Sequence, residues 1–150
     1  MTAEAVLTIL VVDDDEGHAE LVRRNLRRSG VNNPIVPLST GQAALDYVFC
    51  QGLFATRPQG HLMILLDINM PGLDGIDVLT RIKADPQRRA IPIVMLTTTD
   101  DPREVERCYA LGCNVYMTKP VEPLAFIEAV NRLGLFISVV NVPPEQGATR

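Results

Sequence analysis

The sequence predicts an α/β fold, a five-stranded parallel sheet with helices on both faces. Three observations carry the prediction. The apolar runs Leu7–Val12 and Leu62–Leu66 read as strands buried on both faces. Stretches with helical spacing separate the runs, so strand and helix alternate five times. Pro37 lies inside the second strand, where it cannot donate to an inner ladder, and this places that strand at an edge. An edge position for strand two agrees with the order 2-1-3-4-5 of flavodoxin-like sheets.

The first strand, Leu7–Val12, ends in four acidic residues, Asp13-Asp14-Asp15-Glu16. Carboxylates so placed repel one another unless a cation or a helix N-terminus compensates them. Glu16–Ser29 follows as a helix with Ala19, Val22 and Leu26 on one face, closed by Gly30. Ile35–Leu38 is the edge strand. Ser39-Thr40-Gly41-Gln42 reads as a capping box that opens a helix to about Cys50, with Ala44, Leu45, Val48 and Phe49 inward. Gln51–His61, with two glycines and a proline, reads as a surface loop longer than most such connections.

The central strand, Leu62–Leu66, ends in Asp67, and Pro71-Gly72 then forces a turn. After Asp74-Gly75 a helix runs through Val78, Leu79 and Ile82 and stops near Asp85-Pro86. Ile91–Leu96 is the fourth strand, ending in Thr97-Thr98-Thr99-Asp100. Asp101-Pro102-Arg103-Glu104 combines an N-cap, a proline at the first helical position and a glutamate at the third, and the helix it starts ends at Gly112. Val115–Met117 is a short fifth strand, followed by Thr118-Lys119-Pro120 and a last helix over about Glu122–Leu133 that buries Phe126, Val130 and Leu133.

Composition narrows the function. With 47% hydrophobic and 21% charged residues, the 150-residue chain has material for one real core. A net charge of −4 argues against nucleic-acid binding, which favours a basic stripe. The cluster Arg23, Arg24, Arg27 and Arg28 sits where cations suit the end of the first helix. No apolar run approaches the roughly 20 residues that cross a bilayer, and the N-terminus has no signal-peptide pattern, so the expected setting is cytoplasmic. Cys50, Cys108 and Cys113 lack metal-site or redox spacing and are expected as small buried hydrophobes. His18 and His61 are expected at the surface.

In a 2-1-3-4-5 sheet, strands one and three are neighbours at the switch point, so Asp13, Asp14 and Asp67 converge in one crevice. Three carboxylates there need a positive partner, and an oxygen-rich open site suits Mg²⁺. The fourth strand brings the Thr97 hydroxyl to the same end, and the fifth brings the Lys119 ammonium. Carboxylate, divalent ion, ammonium and hydroxyl around one point form a phosphoryl-handling set, with Asp67 as nucleophile.

On these residues the chain resembles the receiver domains of two-component response regulators, the CheY-like family. The motifs that match are Asp13-Asp14, the run Leu66-Asp67-Ile68-Asn69-Met70-Pro71-Gly72-Leu73-Asp74-Gly75, Leu96-Thr97-Thr98 and Lys119-Pro120, in the family's order from about Leu7 to Leu133. The resemblance implies that Asp67 accepts a phosphoryl group from the phosphohistidine of a sensor histidine kinase. It implies a Mg²⁺ site of Asp14, Asp67 and the Asn69 backbone carbonyl, with Asp13 acting through water. Lys119 would pair with the phosphoryl oxygens, Thr97 would shift toward them, Tyr116 would turn inward as the switch aromatic, and the Lys119–Pro120 bond would be cis. Phosphorylation would then alter the face formed by the fourth helix, the fifth strand and the last helix. Enzymatic activity is expected only as self-catalysed phosphorylation and slow autodephosphorylation.

A receiver is expected over residues 6–134 with no output domain after it, which would make the chain similar to single-domain regulators. The Gln51–His61 loop, Asn114-Val115-Tyr116 and the apolar tail narrow the resemblance to regulators associated with phytochrome-type photoreceptor kinases. The tail Leu135–Val142 is strand-prone and too apolar to leave in water. It either packs on its own domain or reaches a second chain, and relatives that dimerise through C-terminal arms favour a homodimer, with residues 135–150 as arm and tail. Three other functions could use such a fold. A haloacid-dehalogenase-type phosphatase needs a second aspartate where Asn69 stands, and a flavin-binding protein needs a phosphate loop where the acidic run lies. A receiver fold acting as a phosphorylation-independent interaction module is the remaining alternative.

Overall fold

The structure, a computed structural model, describes residues 7–120 together with 122, 124–126 and 128. Five parallel strands, β1 (Leu7–Val12), β2 (Ile35–Leu38), β3 (His61–Leu66), β4 (Ile93–Thr97) and β5 (Val115–Thr118), form one sheet in the order 2-1-3-4-5. Between them run α1 (Glu16–Arg28), α2 (Gly41–Val48), α3 (Gly75–Ala84) and α4 (Pro102–Ala110). The fold class expected from the apolar runs is the one observed. Pro37 lies on β2, the edge strand, opposite Val11.

Alternation along the inner strands divides the core in two. Leu10, Val12, Ile64, Leu66, Ile93 and Met95 face α2 and α3, where Ala44, Val48, Val78, Leu79 and Ile82 are buried. Ile9, Val11, Met63, Leu65, Val94 and Leu96 pack with Val22 and Leu26 of α1 and with Phe126. Each such large side chain contributes roughly 1.5–3 kcal/mol on burial, so both layers are held mainly by apolar area. Cys108 and Cys113 are buried, and burial pushes their thiols up to about 11 and about 12, which leaves them as unreactive packing groups.

Local details differ from expectation where tertiary contacts intervene. The N-cap of α2 is Thr40 and not Ser39: the Thr40 hydroxyl accepts from the Ala43 amide at 2.9 Å, while Gln42 donates to Asp46 instead of reaching back. The frame shifts by one residue because Gly41 must be the residue that meets the loop leading into α3, where an added Cβ would lie 2.3 Å from the Leu73 carbonyl oxygen. Cys50 is half-exposed at φ 55° in the turn that leaves α2, so it is no buried helix residue. The following loop holds a 3-10 turn at Gly52–Phe54, and Arg57 anchors it by lying over the Tyr47 ring and donating to the Tyr47 and Val48 carbonyls. β4 begins at Ile93, two residues later than expected, because Ile91 and Pro92 form its approach.

Three of the four clustered arginines have structural partners. Arg23 and Arg24 pair with Glu20, and Arg27 donates to the carbonyls of Val31 and Asn33 beyond the helix end. Lys83 ties the end of α3 to the start of β4 by donating to the Arg89 and Ile91 carbonyls and to Asn114 Oδ1. The expectations for Val130, Leu133, the boundary at residue 134 and the arm at 135–150 lie outside the described residues.

Candidate functional site

Backbone hydrogen bonds at the carboxyl ends of the strands set the site. Asp67 continues the ladder one residue past β3, its amide donating to the Val12 carbonyl at 3.0 Å. The Asp13 amide does the same toward Leu38 at 3.0 Å, and the Lys119 amide toward Thr97 at 2.7 Å. Each side chain that left its strand at the end of an apolar run therefore starts from a fixed position at one rim of the sheet. α3 holds the floor of the crevice: Asp74 and Asp77 form a reciprocal capping box at its N-terminus, and the Gly75 amide donates to Ile68 in the loop that follows Asp67.

The convergence expected from the strand order is present. Carboxylate oxygens of Asp13, Asp14 and Asp67 lie within 4.8 Å of one another. Asp13 and Asp67 are buried and Asp14 is exposed, so the cluster opens to solvent on one side. Lys119, its side chain only 8% exposed, bridges the two buried carboxylates at 2.5 Å to Asp13 Oδ2 and 3.3 Å to Asp67 Oδ2. Burial raises the Asp67 carboxyl above its ordinary range; Lys119 opposes the rise, and Asp13 adds to it. The ammonium alone thus leaves the Asp67 carboxylate under-compensated. An all-oxygen, partly open donor set with surplus negative charge fits a hard divalent cation.

Thr97, at the end of β4, is fully buried, and its hydroxyl has no hydrogen-bond partner among the described residues. Asn69 is exposed two residues beyond Asp67. Tyr116 is half-buried, its hydroxyl donating to the Thr99 carbonyl at 2.8 Å, and burial pushes its phenol up to about 12. The backbone amide of Tyr116 donates to the Tyr109 hydroxyl at 3.0 Å, which ties α4 to β5. The Lys119–Pro120 peptide is cis, as the resemblance implied.

His61 is exposed at the start of β3. His18 is on the surface too, but not apart from the site: its Nδ1 lies 3.3 Å from Lys119 Nζ. Sequence reasoning set this residue aside. The usable signal was its place in the first turn of a helix that begins directly after the acidic run.

Comparisons with known proteins agree with this geometry. The model of the response regulator receiver domain family matches residues 9–131. The chain is 38% identical to the response regulator Rcp1 of Synechocystis sp. over 111 residues, 74% of this chain and 75% of that one. A bacteriophytochrome response regulator, RtBRR, superposes with a TM-score of 0.81 at 39% identity, covering 93% of this chain and 85% of its own. A second, AtBRR, gives a TM-score of 0.83 at 35% identity over 93% of this chain and all (100%) of its own. The Rcp1 structure, solved in a Mn²⁺-bound form, was also among the matches, with a TM-score of 0.71 at 33% identity over 91% and 98% of the two chains.

Proposed function

The chain belongs to the response regulator receiver domains, and from that premise we propose that it accepts a phosphoryl group on Asp67 from a sensor histidine kinase and thereby switches an interaction surface. The observation that carries the reading is the buried pair Asp13 and Asp67 bridged by Lys119, with Asp14 at the open side of the same crevice.

In this reading an Asp67 carboxylate oxygen attacks phosphorus, the bond from phosphorus to the kinase imidazole nitrogen breaks, and its electron pair leaves with that nitrogen. Charge on the equatorial oxygens is met by the Lys119 ammonium and by the Thr97 hydroxyl, a buried group with no hydrogen-bond partner among the described residues. Mg²⁺, held by Asp14, Asp67 and the Asn69 backbone carbonyl with Asp13 through water, would add positive charge at the same oxygens. Repositioning of Thr97 then biases Tyr116, and through its bonds to Thr99 and Tyr109 the face of α4 and β5. The chain catalyses only its own phosphorylation and slow autodephosphorylation.

Likeness to the bacteriophytochrome response regulators RtBRR and AtBRR supports a phytochrome-type photoreceptor as the kinase, and the setting in this reading is the cytoplasm. Incubation with acetyl phosphate and Mg²⁺ should add one phosphoryl group by intact mass, and chelating the metal should prevent it. No gain would favour the interaction module that works without phosphate. We place a homodimer contact in the apolar segment Leu135–Val142, with or without the face of the fourth helix, fifth strand and last helix. Truncation after Leu133 should then halve the mass seen by light scattering, and an unchanged dimer would remove the arm from consideration.

A further inference from the structure

We propose that His18 is a positioning residue for Lys119, its ring nitrogen holding the ammonium in place beside the phosphoacceptor. The inference rests on the phosphoacceptor reading of Asp67. A lysine ammonium has three N–H donors and no acceptor. Three acceptors surround Lys119 Nζ: Asp13 Oδ2 at 2.5 Å, Asp67 Oδ2 at 3.3 Å and His18 Nδ1 at 3.3 Å. The donor valence of the lysine is thereby filled, and two carboxylates and one imidazole fix its direction.

The backbone that carries the imidazole is itself held. The Asp15 amide donates to Asp13 Oδ1 at 2.9 Å, and Asp15 Oδ1 accepts the His18 amide at 3.1 Å as the N-cap of α1. His18 is thus tied through Asp15 to the same Asp13 that pairs with Lys119. Besides the ammonium, its Nδ1 faces Asp15 Oδ2 at 3.9 Å and Asp13 Oδ2 at 4.0 Å. A proton on Nδ1 would point at the ammonium, so the contact is a hydrogen bond in the tautomer that carries its proton on Nε2. Without that acceptor, the shorter bond to Asp13 governs the lysine, and its alignment with Asp67 loosens. Electrostatic stabilisation of a transferring phosphoryl group depends on that alignment.

Two replacements separate position from bulk. Asparagine carries Oδ1 on Cγ as histidine carries Nδ1, and leucine offers similar volume with no acceptor. The rate of phosphoryl uptake from acetyl phosphate should fall about fivefold in His18→Leu and stay within about twofold in His18→Asn. A second readout needs no phosphate. The chain has two lysines, Lys83 and Lys119. In full-length protein carrying isotope-labelled lysine, Lys83, with its three protein acceptors, supplies a reference ammonium signal for magnetic resonance. The Lys119 ammonium signal should persist in the native chain and in His18→Asn and be lost to water exchange in His18→Leu. An unchanged rate in His18→Leu, an equal fall in both variants, or a fall with the Lys119 signal intact would each overturn the proposal. If the native chain takes up no phosphoryl group, the reading of Asp67 fails, while the ammonium signal still decides the His18 contact.

Discussion

Asp67→Asn should abolish phosphoryl uptake and at the same time make the metal-free protein more stable. Uptake is lost because an amide oxygen is no nucleophile toward phosphorus under these conditions. Stability rises because the carboxylate being replaced is buried, and burial, with Asp13 nearby, outweighs what Lys119 returns. Its carboxyl is raised above the ordinary value of 3.8, so the folded chain holds this proton more tightly than the unfolded chain does. A raised acid gives its full stabilisation below the unfolded value and loses it as pH climbs through the folded one. At neutral pH the native chain therefore carries the cost of an ionised Asp67, and the asparagine variant does not. The gain should be on the order of 1 kcal/mol, a few degrees in thermal midpoint. It should shrink as pH is lowered through the carboxylate range and also when Mg²⁺ is added to the native chain. A thermal midpoint lower in the variant than in the parent, in chelator at neutral pH, would refute this account.

Most of the site is legible in the sequence because its members stand at strand ends, and strand ends are marked where apolar runs stop. Asp13, Asp67, Thr97 and Lys119 all carry that mark, and a parallel sheet of known order then brings them to one rim. His18 carries no such mark. Its contact to Lys119 joins positions 101 residues apart, on a helix face and a loop, and no periodicity reports such a meeting. The N-cap of α2 is hidden for a related reason: Ser39 and Thr40 are equivalent by local chemistry, and the choice is made by Gly41 against Leu73. The Asp74–Asp77 box differs, since both partners are local and the spacing alone could have revealed it.

Gly75→Ala should be strongly damaging for so small a substitution. Ordinary propensity argues the other way, since alanine is favoured over glycine in helices by about 1 kcal/mol. What decides is space. Gly75 opens α3 beneath the loop that leaves β3, and a Cβ there would lie 2.2 Å from the Asp67 carbonyl oxygen, 2.8 Å from Ile68 Cα and 2.9 Å from the Asp67 carbonyl carbon. All are backbone atoms, so no rotamer change relieves the overlap, and the Gly75 amide is bonded to Ile68 in the same loop. Either α3 withdraws or Asp67 moves. The first loosens Val78, Leu79 and Ile82 in the core, and the second displaces the Asp67 carboxylate from Asp13 and Lys119. Destabilisation of about 3 kcal/mol is expected, read from the urea midpoint. Uptake from acetyl phosphate should fall by about a hundredfold, the scale that a misplacement of one ångström produces. Gly30→Ala supplies the comparison: at φ 91° with nothing within 4 Å of an added Cβ, it costs backbone strain alone. That variant should lose about 1–2 kcal/mol of stability and keep its rate of uptake. If Gly75→Ala behaved like Gly30→Ala, stability lowered and uptake intact, the close approach of α3 to the Asp67 loop would not be what holds the nucleophile in place.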